Sequence, residues 1–160
     1  MRHICGGASV EQRIEEHVYI YEKEFYPFSN FSAFAFRWRD ILWMTAEHPY
    51  QWSKITDDAV KEMIRTALSP HDAKMIAKAH RHYLRSDWDD ETKLSTMEDI
   101  LRAKHAQHPY ISGRLIATGD RIIIEDSPTD AFWGWGPDRQ GKNHLGKIWM
   151  RFRDELRAGR

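Results

Sequence analysis

The stretch Ala33–Lys54, AFAFRWRDILWMTAEHPYQWSK, changes its period midway, and that change decides the fold. Through Trp38 the large apolar residues alternate with others, and Ile41–Met44 is a short apolar run. Ala33–Arg39 and Ile41–Met44 therefore read as two short strands around a turn at Arg39-Asp40, a hairpin. After Met44 the spacing becomes helical. Thr45 is suited to cap a helix, and Pro49 is tolerated in a first turn. Toward the N-terminus, His17–Glu22 alternates weakly and reads as a strand. Phe25–Phe31 holds Pro27, Ser29 and Asn30 and reads as a loop rich in aromatics.

Beyond Lys54 the chain is mostly helical. Asp57–Leu68 carries acids in its first turn. Ser69-Pro70 opens a third helix, with Ser69 as N-cap, Pro70 at N1 and Asp72 at N3. Its buried side holds Ala73, Ile76, Ala77 and His80. Ser86 or Asp87 caps a fourth helix running to about Gln107, along which Leu94, Met97, Leu101 and Lys104 recur at helical spacing. Pro109 ends it or begins the next, Tyr110–Ala117. Arg121–Glu125 reads as a strand, and 126–143 as a long loop with Gly134, Gly136, Pro137 and Gly141, of the kind that more often carries function than idles. The last helix starts near Asn143 and places Leu145, Ile148, Trp149, Phe152 and Leu156 on one face. Repeats, low-complexity tracts and linkers are absent from the sequence. The expectation is one α+β domain over residues 1–160, with its core at about 17–157, mostly helical with a small antiparallel sheet.

Composition narrows the function. The 160 residues carry 24 Lys+Arg and 24 Asp+Glu, a formal net charge of zero; 30% are charged and 41% apolar. That excludes a disordered chain and one that holds nucleic acid by bulk positive charge, though not a local basic pocket. The one cysteine, Cys5, cannot form an internal disulfide and suggests a reducing, cytoplasmic setting. Met1–Val10 lacks the apolar segment of a secretion signal, and the longest aliphatic run, Ile122–Ile124, falls far short of the roughly 20 residues of a membrane span. Of the seven Trp, six Tyr and seven Phe, seven fall within 25–38, with smaller groups at Trp88 and at Phe132, Trp133 and Trp135. Many fill a core; those beside glycines and turn residues are candidates to stack on a flat ligand.

Three groups could carry chemistry. Glu47, Gln51 and Lys54 lie at i, i+4 and i+7 of one helix face. Two turns rise about 10.5 Å, so the acid and the amine bracket a ligand-sized space. A solvated helix face is the bland alternative. Ser29, Asn30 and Phe31 could bond a sugar or base, or only their own turn. Leu115–Asp120, Asp130–Gly136 and Gly141–Gly146 place glycines near helix ends, where backbone amides can face phosphate. The standard dinucleotide and P-loop patterns are missing from these stretches. The nine histidines include the pairs His80/His82 and His105/His108, but no spacing matches a metal site, so neither metal nor cofactor is expected. Cys5 lacks the context of a Cys–His nucleophile, and no GxSxG marks a serine one.

These blocks, in this order, resemble the NADAR/YbiA-like family. The matching stretches are Phe28–Phe31, Thr45–Lys54, Leu101–His108, Leu115–Asp120, Asp130–Gly134 and Gly141–Gly146. Together they cover about Glu24 to Leu156. The family usually has an aromatic pair after the Glu-His and a second Gln before the Lys; here the residues are Pro49-Tyr50 and Ser53. Glu47, His48, Gln51 and Lys54 are kept.

The resemblance implies an α+β fold and an N-glycosidase. One branch hydrolyses the ribosyl–amine bond of phosphoribosylamino-pyrimidine intermediates of riboflavin synthesis. Another removes ADP-ribose from guanine bases, so the implied partners are a small nucleotide-sugar or modified nucleic acid, and no membrane. A module that holds ADP-ribose or NAD without cleaving it is the alternative. On the enzyme reading, Glu47 is the acid/base and Lys54 the amine, with Asp130 orienting the ribose or acting as a second carboxylate. Ser29, Asn30, His48, Gln51, Thr118, Gly119 and Gly134 contact substrate. Phe31, Trp88 and Trp133 stack on it. Lys104 is a second amine or a phosphate ligand, and Lys142, Asn143 and the amides near Gly146 take phosphate.

Overall fold

The structure is a computed structural model that describes residues 17–21 and 23–160. Cys5 and Glu22 lie outside the described residues. Cα packing divides the chain into two compact units. One comprises Tyr26–Gly113; the other joins the described residues up to Phe25 to Arg114–Arg160.

In the Tyr26–Gly113 unit the expected hairpin forms, from β2 (Phe36–Trp38) and β3 (Ile41–Trp43). The pairing is antiparallel, with Phe36 opposite Trp43 and Trp38 opposite Ile41. Arg39 and Asp40 both take positive φ, 51° and 62°, the left-handed pair that a two-residue turn needs to match strand twist. The Arg39 guanidinium covers the Trp38 ring at 4.3 Å. The strands are shorter than their alternation suggested. On β2, the Gln107 side chain accepts from the Arg37 amide and donates to its carbonyl, both at 2.8 Å, and so satisfies backbone groups outside the β2–β3 ladder.

Four α-helices belong wholly to this unit: α1 (Glu47–Lys54), α2 (Asp58–Arg65), α3 (Pro70–Ala79) and α4 (Asp90–Ala106). Their starts follow cap chemistry. Ser69 accepts from the Asp72 amide, as the sequence indicates, and Asp57, read from the sequence as a first-turn acid, is itself a cap that accepts from the Val60 amide. The fourth helix begins later than expected. Asp89, which accepts from Thr92, is its cap, because Asp87 is engaged by a two-toothed Arg85 guanidinium at 2.6 Å on each oxygen. Thr45 does not cap α1 either; that position is Ala46, which has no side-chain acceptor. Ile55, Val60, Ile64, Ala73 and Ala77 form a core between α1, α2 and α3. On α4 the expected seam is buried at Met97, Leu101 and Lys104, joined by Ile100.

In the other unit, β1 (His17–Tyr19) pairs with β4 (Ile122–Ile124). This ladder is parallel, with Val18 opposite Ile123, so the chain carries a parallel pair as well as the antiparallel hairpin. More than a hundred residues separate the two strands, ample for the crossover that parallel pairing demands. Helix α5 (Pro109–Ala117) precedes β4, and α6 (His144–Arg157) packs on it. Leu145, Ile148, Trp149 and Phe152 are buried on α6, as the periodicity required. Arg153 is buried too, and donates to the Thr118 hydroxyl and the Arg121 carbonyl. Among the described residues, no helix is long and apolar enough to cross a membrane.

Candidate active site

Helix α1 is short, yet nearly every side chain on it is enclosed. Glu47, His48, Tyr50, Gln51 and Ser53 are all buried, Glu47 at 6% exposure and Gln51 at 3%. A solvated helix face is thereby excluded. Enclosing a carboxyl costs free energy unless it is compensated. Two compensations are visible. The Gln51 amide, one turn on, donates to Glu47 Oε1 at 2.6 Å, the i,i+4 pair that the spacing implied. Glu47 is also the first residue of the helix, where the helix dipole favours negative charge.

The aromatic loop supplies the rest of that terminus. The Glu47 amide donates to the Asn30 carbonyl at 3.0 Å, a backbone bond in place of the missing side-chain cap. The loop is tightly self-bonded: the Ser29 amide donates to the Tyr26 carbonyl, the Phe31 amide to Ser29 Oγ, and Ser32 Oγ to the carbonyls of Ser29 and Pro27. Asn30 is buried, and its Oδ1 has no partner.

Lys54 closes the helix and is half-buried. Its Nζ lies 4.7 Å from the Tyr50 ring centroid, and that ring packs against Trp88 at 5.5 Å. Trp88 is held in turn by the Arg85 segment, whose backbone amide donates to the Lys54 carbonyl at 2.8 Å. Tyr50 was not singled out from the sequence. Its signal was there, in the i,i+4 relation to Lys54.

Two expected binding residues sit differently. Both His48 ring nitrogens are engaged: Nδ1 meets the Thr45 hydroxyl at 2.8 Å and Nε2 the Ala67 carbonyl at 3.1 Å. The ring ties α1 to the segment after α2. Burial pulls its pKa below the ordinary 6.5. The unfolded chain then takes up the proton first, so this stability is intact above about pH 6.5 and is lost as the pH falls through the lowered folded value. A Tm series from pH 8 to pH 5 is expected to fall more steeply for the wild type than for His48→Gln; parallel curves would contradict it. Lys104 is completely enclosed, at 0% exposure. Its Nζ donates to the Pro27 carbonyl, the Ser29 carbonyl and Ser32 Oγ at 2.8, 3.0 and 2.7 Å. It is therefore neither a surface charge nor an open phosphate ligand, and all three ammonium protons are spent on the loop.

The remaining expected residues belong to the other unit, where most have local duties. Asp130 Oδ1 accepts from the amides of Phe132 and Trp133, which shapes its own turn. The amides of Lys142, Asn143, His144 and Leu145 donate to the carbonyls of Ala131, Gly134, Phe132 and Trp133. These four amides are thus not available to phosphate at the start of α6, a correction to the sequence expectation. The Asn143 side chain joins the Ile123 carbonyl to the Glu125 amide. Thr118 is wholly buried, and its hydroxyl donates to the Leu115 carbonyl. Gly119, at φ 60°, turns the chain out of α5. Gly134 and Gly146 are sites of close approach, where a Cβ would lie 2.4 Å from the Glu125 carbonyl and 2.0 Å from the Ile123 carbonyl respectively. Trp133 is half-buried and Lys142 exposed, its Nζ 5.7 Å from the Phe132 ring. Among the described residues, no cluster of three or more His, Cys, Asp or Glu side chains is placed to hold a metal ion.

Known proteins resemble this chain over most of its length. An N-glycosidase of Nostoc punctiforme is 39% identical over 133 residues, covering 81% of this chain and 85% of that one. The N-glycosidase YbiA of Escherichia coli is 36% identical over 129 residues, covering 81% and 80%. The NMR structure of Escherichia coli YbiA superposes with a TM-score of 0.81 at 32% identity, over 91% of this chain and 87% of that one. A riboflavin biosynthesis protein of Vibrio vulnificus is 34% identical over 145 residues, which are 89% of this chain and 39% of the longer relative. The NADAR domain model matches residues 18–157. With that match spanning both units, the chain belongs to the NADAR domain family.

Proposed function

We propose that the Glu47–Gln51–Lys54 face of α1 is where this enzyme, an N-glycosidase like its relatives, breaks the bond between ribose C1 and an exocyclic amine. The observation that carries the reading is the enclosed Glu47 carboxyl, bonded to Gln51 at 2.6 Å and set at the start of a helix whose last residue is a lysine held on an aromatic face. A carboxyl enclosed in this way and held by an oriented amide is a candidate for proton transfer.

Two routes fit a glycosylamine. In one, the Glu47 carboxylate takes a proton from water, the oxygen adds to C1, and the amine leaves with a proton. In the other, the sugar ring opens to an imine at C1. The Lys54 amine, deprotonated and lifted from the Tyr50 ring, adds to C1 and expels the base amine, and the resulting lysine imine is hydrolysed to free lysine and ribose. Glu47 shuttles the protons in both. Borohydride reduces the lysine imine to a stable amine, so trapping during turnover followed by peptide mapping separates the routes. The expected adduct is on Lys54; no adduct on any lysine would leave water as the nucleophile.

The substrates are phosphoribosylamino-pyrimidine intermediates of riboflavin synthesis or ADP-ribosylated guanine. The riboflavin reading is supported by the name of the Vibrio vulnificus relative. The ADP-ribose reading rests on the motif resemblance, and the Pro49-Tyr50 pair is where this chain departs from the usual pattern. Incubating the purified protein with each substrate and following release of the free base tests the function and ranks the substrates. Saturable binding with no product from either would make the protein a reader of ADP-ribose instead.

A further inference from the structure

We propose that Lys104 is a positioning residue for Glu47: its ammonium locks the Pro27–Ser32 loop, whose Asn30 carbonyl sets the first turn of α1. This inference rests on the reading of Glu47 as the working carboxyl.

The chain of contacts is continuous. Lys104 Nζ donates to Pro27 O, Ser29 O and Ser32 Oγ, groups 72 to 77 residues earlier in the chain. The Ser32 hydroxyl in turn shares its one proton between the same two carbonyls, at 2.8 Å from Ser29 O and 3.1 Å from Pro27 O. One residue beyond Ser29, the Asn30 carbonyl takes the Glu47 amide at 3.0 Å. That amide begins α1, where N–H groups have no partner within the helix. The cap position is alanine, so this bond stands where a side-chain cap would otherwise be. The loop therefore fixes the end of the helix that carries the carboxyl, and Lys104 fixes the loop.

The lysine does not touch substrate itself. It is fully enclosed, and its three donors are used within the protein. Simple space-filling does not explain it either. An apolar side chain of similar length would fill the seam of Met97, Ile100 and Leu101 without the desolvation cost of an ammonium. Burial pulls the Lys104 pKa from 10.5 down to about 7, while the three acceptors around Nζ favour the protonated form. What the charge supplies is three convergent donors at one point, which no apolar residue offers. The orphaned Asn30 Oδ1 lies on the loop that these donors hold.

The test uses Lys104→Met and, as a milder variant, Ser32→Ala, which removes one of the three acceptors. The amide resonances of Asn30 and Glu47 are followed in the substrate-free protein, and kcat and KM are measured separately. The expected result is a shift of both resonances in each folded variant. The kcat is expected to drop about 10-fold or more with KM nearly unchanged, as when a reacting group is misplaced. A folded Lys104→Met or Ser32→Ala protein with unmoved Glu47 resonance and wild-type kcat would overturn the proposal. If Lys104→Met fails to fold, Ser32→Ala decides alone. If the wild type releases no base from either substrate, the glycosidase reading fails, while the amide shifts still decide whether Lys104 positions Glu47.

Discussion

Glu47→Gln is expected to lower kcat by about 10²–10⁴-fold, the usual contribution of a positioned acid or base. The substitution is nearly isosteric. The Gln51 amide can still donate to the new carbonyl oxygen at the position where it now meets Glu47 Oε1 at 2.6 Å. The Asn30 bond involves only backbone and is untouched. What is lost is the ability to take up and return a proton. Stability is expected to hold or to rise, because an enclosed carboxylate is replaced by a neutral group and a site tuned for function is relieved. Loss of turnover with an unchanged or higher Tm is therefore the signature. Turnover close to normal would remove Glu47 from the chemistry.

The largest expected loss of stability comes from Gly146→Ala. A Cβ there would lie 2.0 Å from the Ile123 carbonyl, and 2.6 and 2.7 Å from the Asn143 amide atoms. None of these neighbours can yield cheaply. The carbonyl belongs to β4, which is paired with β1. The Asn143 side chain is bonded to the same carbonyl at 2.9 Å and to the Glu125 amide at 3.0 Å. The helix must move off the strand, at a cost of about 3 kcal/mol, the upper range for overpacking. In a chain of this size that lowers Tm by about 6–12 °C. Gly113→Ala is the control. It lies within α5 with nothing within 4 Å of its added methyl, so the better helix propensity of alanine is expected to leave Tm unchanged or raise it. Equal effects at the two glycines would contradict the packing argument.

Much of this was legible because the physics is local. The hairpin follows from alternation around Arg39-Asp40, and α6 from one apolar face. The cap at Ser69 follows from short-range hydrogen bonding. The Glu47–Gln51 bond follows from helical spacing alone. What was not legible depends on partners distant in sequence. The parallel pairing of β1 with β4 is one case, since strand direction is not encoded in a three-residue run. The true start of α4 is another: Asp87 and Asp89 are both good caps, and Arg85 decides between them by claiming the first. Asn143 and Gly146 belong to a Gly-rich stretch that reads equally as an anion site or as close packing, and the bonded amides favour packing. Lys104 is the instructive case. It recurs with Met97 and Leu101 on an apolar seam, which foretold burial, yet its charge drew it into the substrate-facing set.

The central claim is that the Glu47–Gln51–Lys54 face is where the sugar–nitrogen bond is cut. A crystal structure of Glu47→Gln holding uncleaved substrate tests it most directly. The account predicts ribose C1 within contact distance of residue 47, with the Gln51 amide and the Lys54 amine on either side. Substrate seated elsewhere, with those three side chains untouched, would contradict it.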